Sequence, residues 1–267
     1  MELSPCLDLL FGDGDPQASP ETRIGRAADA GFRWVEMWGW SHHDMAAVKR
    51  ALRETGLGLS CLTLDPFVPL VDSRAREAFL DSVTRSSRIA AEVGCPFVVV
   101  LAGDAMPGTS RSVQQRAVVD GLLRAATIAE HSGVTLILEN LNSRNDHVGH
   151  FLDTAAEALA IVDAVDHPSV RMLYDLYHSV VMGERPESVL DGGLDRIAHI
   201  QVADVPGRHE PGTGTIDWRA TIGWLSGHGY EGRIGLEYVP TVGTQQSVEH
   251  IRSVIAAVVP TGPSTQN

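Results

Sequence analysis

With 267 residues the chain has room for one large domain or two small ones, and a hydrophobic fraction of 43% is ample for a buried core. A formal net charge of -13, with no run of Arg or Lys, excludes a nucleic-acid surface, which needs a concentrated basic face, and argues equally against an anionic membrane. The only lysine, Lys49, falls inside a predicted helix, which removes Schiff-base chemistry and the P-loop mode of phosphate binding.

In chain order, short apolar runs rich in β-branched residues alternate with longer stretches whose apolar residues recur every three or four positions. Strands are predicted at 4–10, 33–38, 58–64, 96–101, 134–140, 170–175, 197–202 and 234–238. Helices are predicted at 21–30, 44–55, 73–93, 110–131, 153–165, 187–194, 218–226 and 248–258. Gly31, Gly56, Gly94, Gly133 and Gly229 each separate a helix from the next strand, where a cap needs a positive φ. Ser73, Ser110 and Asp153 stand at N-cap positions.

Eight strand–helix units with short links specify an α/β fold, a (β/α)8 TIM barrel in a single domain over residues 1–260, with the polar tail 261–267 expected to fray. A doubly wound open sheet is the alternative, but the first strand–helix loop, Gly12-Asp13-Gly14-Asp15-Pro16, lacks the G-x-G-x-x-G fingerprint. Cys6, Cys61 and Cys95 read as small buried hydrophobes in a reducing compartment, by default the cytoplasm. The opening Met1-Glu2-Leu3-Ser4-Pro5 has no signal-peptide pattern, and no apolar run reaches the length of a membrane span.

In a closed barrel the chemistry sits at the carboxyl ends of the strands. The fifth predicted strand ends on Glu139-Asn140, the sixth on Asp175, the seventh carries Gln201 at its end, and the eighth closes on Glu237-Tyr238. Four consecutive strands thus each bring one oxygen-bearing side chain to the same rim. A charge at the end of an apolar strand must be compensated by a cation or by hydrogen bonds. Three carboxylates and one amide suit a hard divalent ion, Mg2+ or Mn2+. Taken singly each residue has a plainer reading: a strand-end Glu is commonly a solvated rim residue, and Asp175 could cap the helix after it.

Glu139, the run Tyr174-Asp175-Leu176-Tyr177-His178, and the stretch from His199-Ile200-Gln201 to Pro206-Gly207-Arg208-His209-Glu210-Pro211-Gly212-Thr213-Gly214 resemble the hydroxypyruvate isomerases. Those belong to the xylose-isomerase-like barrels, together with the ketose 3-epimerases and endonuclease IV. The match covers about the second half of the chain, 134 to 240, and its P-G-R-x-E-P-G-T-G loop is the specific signal. The resemblance implies that Glu139, Asp175, Gln201 and Glu237 hold the metal, that Glu139 and Glu237 double as the proton-transferring pair, and that His178 and Arg208 contact substrate. It also implies isomerisation of hydroxypyruvate or a related small 2-oxo acid or sugar, and a homo-oligomeric assembly.

Moving a carbonyl by one carbon requires removing a proton beside it through an enediolate, a task for a divalent ion and two carboxylates. Arg208 suits a substrate carboxylate, or else pairs with Glu210 in its own loop; His178 suits a substrate oxygen, or else a structural bond at a helix start. Glu36, Trp38 and Trp40 follow the second strand and could wall the pocket, and for Trp38 and Trp40 the alternative is packing loops against the barrel. The Gly-rich 207–214 segment contains Pro211 and no Lys, so it does not read as a phosphate cradle. The first half departs from the family: Cys61-Leu62-Thr63-Leu64-Asp65-Pro66-Phe67 stands where a His-containing segment and a long loop are usual, and Asn140 where Pro is usual. Both places shape the pocket, so the departures bear on the substrate. A ketose 3-epimerase, a nuclease on the same fold and a non-catalytic sugar-acid-binding barrel remain as alternatives.

Overall fold

A computed structural model describes residues 1–258, so the tail expected to fray at 261–267 lies outside the described residues. Eight parallel strands, β1 (Glu2–Pro5), β2 (Trp34–Met37), β3 (Gly58–Thr63), β4 (Phe97–Val100), β5 (Thr135–Glu139), β6 (Val170–Asp175), β7 (Ile197–Val202) and β8 (Arg233–Leu236), form one sheet in the order β1-β8-β7-β6-β5-β4-β3-β2. The two ends of that sheet meet. Cys6 bridges Glu36 in parallel, and the Leu7 N–H donates to the Glu36 carbonyl at 2.8 Å. The expected single-domain TIM barrel is the observed fold.

Helices α1 (Pro20–Asp29), α2 (Met45–Thr55), α3 (Arg76–Val93), α4 (Arg111–Ser132), α5 (Ala155–Val165), α6 (Leu176–Met182), α7 (Pro186–Leu190), α8 (Trp218–Gly227), α9 (Thr244–Ser247) and α10 (Glu249–Val258) occupy the connections and the end of the described chain. Strand alternation divides the apolar residues into two cores. The larger lies between sheet and helices and includes Val98, Leu136, Leu138 and Met172; the smaller, Cys61, Val99, Ile137 and Leu173, fills the barrel beneath its rim. None of the described helices is long and apolar enough to cross a membrane.

The differences from the sequence reading have local causes. The first strand ends at Pro5 rather than residue 10, because the Leu9 and Leu10 N–H groups turn back onto the Cys6 carbonyl at 3.3 and 2.9 Å. The apolar run continues past the strand because both Leu7 and Leu10 pack in the core, Leu7 while still bonded to Glu36 and Leu10 within the turn. The helix that Asp175 could cap is α6, which lies ahead of the predicted 187–194 segment and starts directly after β6, with the Asp175 carboxylate accepting from the His178 N–H at 2.9 Å. Helix α5 is capped by Thr154 rather than Asp153, whose carboxylate instead meets Arg111 and Ser143.

Candidate active site

Alternation along each strand decides which side chains enter the barrel. Ile137 points inward, so Glu139 two residues on does too; Leu173 carries Asp175 with it in the same way. Asp175 lies opposite Gln201 in the β6–β7 register, and Gln201 lies opposite Gly235 in the β7–β8 register. Glu237 follows β8 and remains tied to β7 through its N–H, which donates to the Val202 carbonyl at 3.2 Å. A cavity of about 270 Å3 at this rim is lined by Glu139, Gln201, Glu237 and Arg208 together with Glu36, Trp38 and His147. Asp175 and His178 adjoin it through Glu139, since one ligand atom from each of these three lies within 4.8 Å of the others. All six residues singled out from the sequence therefore meet at one end of the barrel.

Glu36, expected from the sequence as a wall of the pocket, organises its floor. The β2–β3 register shifts between Val35 and Met37, a local irregularity at the strand position that carries it. Its carboxylate is 1% exposed and accepts from His199 Nε2 at 2.7 Å, Gln201 Nε2 at 3.0 Å and Cys61 Sγ at 3.4 Å. A carboxylate only accepts, so the Gln201 amide must present its NH2 to Glu36. The opposite atom, Gln201 Oε1, is left buried and without a partner among the described residues. Glu36, Cys61 and His199 also lie close enough to share an ion, but their mutual hydrogen bonds already account for that cluster.

The carboxylates above this floor repel one another in a dry setting. Burial, then Glu237 and Asp175, pushes Glu139 well above the usual carboxylate range. Burial and then Glu237 do the same for Asp175, and burial raises Glu237 against the opposing pull of Arg208. Arg208 Nη2 donates to Glu237 Oε2 at 2.8 Å, and the Trp38 indole N–H donates to Oε1 at 2.7 Å. Burial disfavours the Arg208 charge, but Glu237, Asp175 and Glu139 outweigh it and hold the guanidinium charged. One cation thus faces three carboxylates, and an amide oxygen beside them lacks a donor. This all-oxygen set fits a hard divalent ion.

His178 is fully buried and its ring protonation follows from its neighbour. Asn142 Oδ1 accepts from the backbone N–H groups of Asn145 and Asp146 at 2.9 and 3.0 Å, so its NH2 faces Asp146 Oδ2 and His178 Nδ1, each at 2.6 Å. Nδ1 therefore accepts, the ring proton sits on Nε2, and Nε2 has no partner among the described residues. Burial and then Arg208 keep the ring neutral. The alternative pairing of Arg208 with Glu210 does not occur: Glu210 accepts from the Thr241 N–H at 2.8 Å, and Arg208 Nε is buried with no partner among the described residues.

The loop bearing Arg208 is built around Asp204, which accepts from the N–H groups of Val205, Gly212 and Ile216 and from the Trp218 indole, at 2.9, 2.7, 3.2 and 2.9 Å. Arg208 itself adopts a φ of 56°, a left-handed conformation uncommon for a residue other than glycine, held by the Val239 N–H on its carbonyl at 2.9 Å. Trp38 lines the cavity, whereas the Trp40 indole donates to Ser86 Oγ at 3.0 Å and packs a loop. His147 and Leu141 also line the cavity and were not anticipated, because they sit in an irregular segment whose sequence gives no periodicity to place them.

Residues 24–254 match the family of xylose isomerase-like TIM barrels. The hydroxypyruvate isomerase of Escherichia coli is 28% identical, over 92% of this chain and 96% of the relative. A 2-oxo-tetronate isomerase of Cupriavidus necator is 30% identical, over 83% of this chain and 88% of the relative. Among solved structures, an AP endonuclease, family 2, from Brucella melitensis superposes with a TM-score of 0.87 at 25% identity, covering 95% of this chain and 99% of the other.

Proposed function

The chain belongs to the xylose isomerase-like TIM barrel family, and from that premise we propose that it is a metal-dependent isomerase acting on hydroxypyruvate or a closely related 2-oxo acid. The observation that carries this reading is the Gln201 amide, whose oxygen is kept free by Glu36 at a rim shared with three buried carboxylates. Held by Glu139, Asp175, Gln201 and Glu237, a Mg2+ or Mn2+ ion would stabilise the negative charge that builds on the substrate's carbonyl oxygen during deprotonation.

The protein's own groups supply the rest. Glu139 and Glu237, from strands β5 and β8, form the proton-transferring pair. One takes a proton from the hydroxymethyl carbon, giving an enediolate; a proton returns at the neighbouring carbon, and the hydroxyl proton passes from the first carbon's oxygen to the former carbonyl oxygen. The aldehyde then stands where the alcohol was, and the alcohol where the ketone was. Arg208 uses its free Nε and remaining guanidinium donors to hold the substrate carboxylate. The His178 Nε2–H donates to a substrate oxygen, and Asn142 keeps that proton on Nε2. The Trp38 indole restrains the Glu237 carboxylate.

Proton NMR of the enzyme with hydroxypyruvate and Mg2+ or Mn2+ in D2O tests this reading. The expected result is tartronate semialdehyde with deuterium at carbon, abolished by a chelator and restored by the ion. Turnover that persists after complete chelation would contradict the metal; exchange with ketoses but not with hydroxypyruvate would move the assignment to an epimerase.

A further inference from the structure

The cavity at the rim shares part of its wall with another. Beside it lies a second chamber of about 670 Å3, against about 270 Å3 for the first, and Leu101, Leu141 and His147 line both. Its far wall comes from the segment after β3, where the chain departs from the hydroxypyruvate isomerase pattern, and from the turn after β4. The two segments are fastened together by the Val71 N–H, which donates to the Ala102 carbonyl at 3.1 Å, and the turn after β4 is tied in addition to the loop after β5 by the Phe151 N–H on the Gly103 carbonyl at 2.9 Å. Gly103 permits the approach, because a Cβ there would sit 2.7 Å from Pro69 Cβ. The chamber is a constructed space.

Its chemistry is selective. His150 lines it, is 6% exposed, and has a buried Nε2 with no partner among the described residues. Burial and then His147 push the His150 pKa down to about 4, so the ring is neutral at pH 7 and offers one N–H and one lone pair. That combination matches a hydroxyl and gives no charge to an anion. Phe67 lines the same chamber at 53% exposure, an apolar face for the C–H side of a sugar chain. Arg74, the one guanidinium on the lining, is committed to Asp72 through two bonds of 2.8 and 2.9 Å. Asp104 adds a further carboxylate, which repels a second acid or a phosphate. A three-carbon acid bound at the rim would leave all of this unused.

We propose that the second chamber binds the distal part of the substrate, and that the preferred substrate is a 2-oxo acid with an uncharged, hydroxylated extension, roughly five or six carbons in all. This rests on the isomerase reading above and names the substrate class for the same site. His150 acts as a binding residue for a distal hydroxyl, and Phe67 as the face against which the chain lies.

The test is a chain-length series of neutral-tailed 2-oxo acids, from hydroxypyruvate to six carbons, followed by exchange in D2O and by initial rates. Wild type is expected to show kcat/KM at least tenfold higher for the five- or six-carbon acids than for hydroxypyruvate, and a terminal phosphate is expected to cancel the gain. His150→Ala should reduce that long-over-short ratio at least fivefold, with His150→Gln restoring part of it. Phe67→Ala, at an exposed position with little bearing on folding, should reduce the ratio too. Hydroxypyruvate as the best substrate, or a length preference unchanged in both variants, overturns the proposal while leaving the isomerase intact. No exchange with any acid of any length overturns the isomerase reading, and the chamber's role with it.

Discussion

At the scale of single residues the account turns on acceptors and donors that have only one way to arrange themselves. In the proposed scheme Glu139→Gln and Glu237→Gln each remove a base and a ligand oxygen's charge, and turnover should fall about a thousandfold or more with the circular-dichroism spectrum unchanged. Near-normal rates in either would remove that residue from the proton path. Glu36 never meets the substrate in this scheme, yet it fixes the Gln201 amide. Glu36→Gln can donate as well as accept, so the Gln201 oxygen is free to turn inward. Mn2+ affinity measured by calorimetry should then weaken by about 10- to 100-fold; an unchanged affinity would show that Glu36 serves packing alone. That the six candidate residues share one rim was legible because each ends a strand or belongs to a continuous motif. The pairing of Glu36 with His199 was not, since the two find each other only across the barrel.

At the scale of elements, two neighbours constrain the site. A Cβ at position 235 would come within 2.6 Å of Glu36 Oε2 and 2.8 Å of Gln201 Cγ, so β8 can pass the floor only as glycine. Gly235→Ala should cost about 1–3 kcal/mol of stability by overpacking and also weaken metal binding; denaturant melts and Mn2+ titration measure the two together. The Arg208 loop depends on Asp204, and Asp204→Ala leaves the Gly212 N–H and the Trp218 indole without their acceptor. A stability loss of about 3 kcal/mol is expected, with KM raised through a displaced Arg208. The P-G-R-x-E-P-G-T-G run was recognisable in sequence as a motif, but its hub is an aspartate two residues before it. The strand and helix pattern was legible over most of the chain because short apolar runs alternate with amphipathic stretches. It missed at residues 6–10, where apolar side chains pack a turn, and in the bounds of the sixth helical segment, since α6 begins directly after Asp175.

For the whole molecule, closure of the sheet through Cys6 and Glu36 is what makes four separate strand ends into one site. The eight-unit alternation announced that closure, whereas the shape of the space above the rim was not announced. Leu141, His147 and His150 lie in loops, and loop residues find their neighbours through the fold rather than through local periodicity. The central claim is that Glu139, Asp175, Gln201 and Glu237 hold a single divalent ion. Titration of metal-free protein with Mn2+, read by electron paramagnetic resonance, addresses it most directly. The account predicts one saturable Mn2+ per chain, with affinity reduced at least tenfold in Asp175→Asn and in Gln201→Ala. No saturable binding, or binding indifferent to both substitutions, would contradict it.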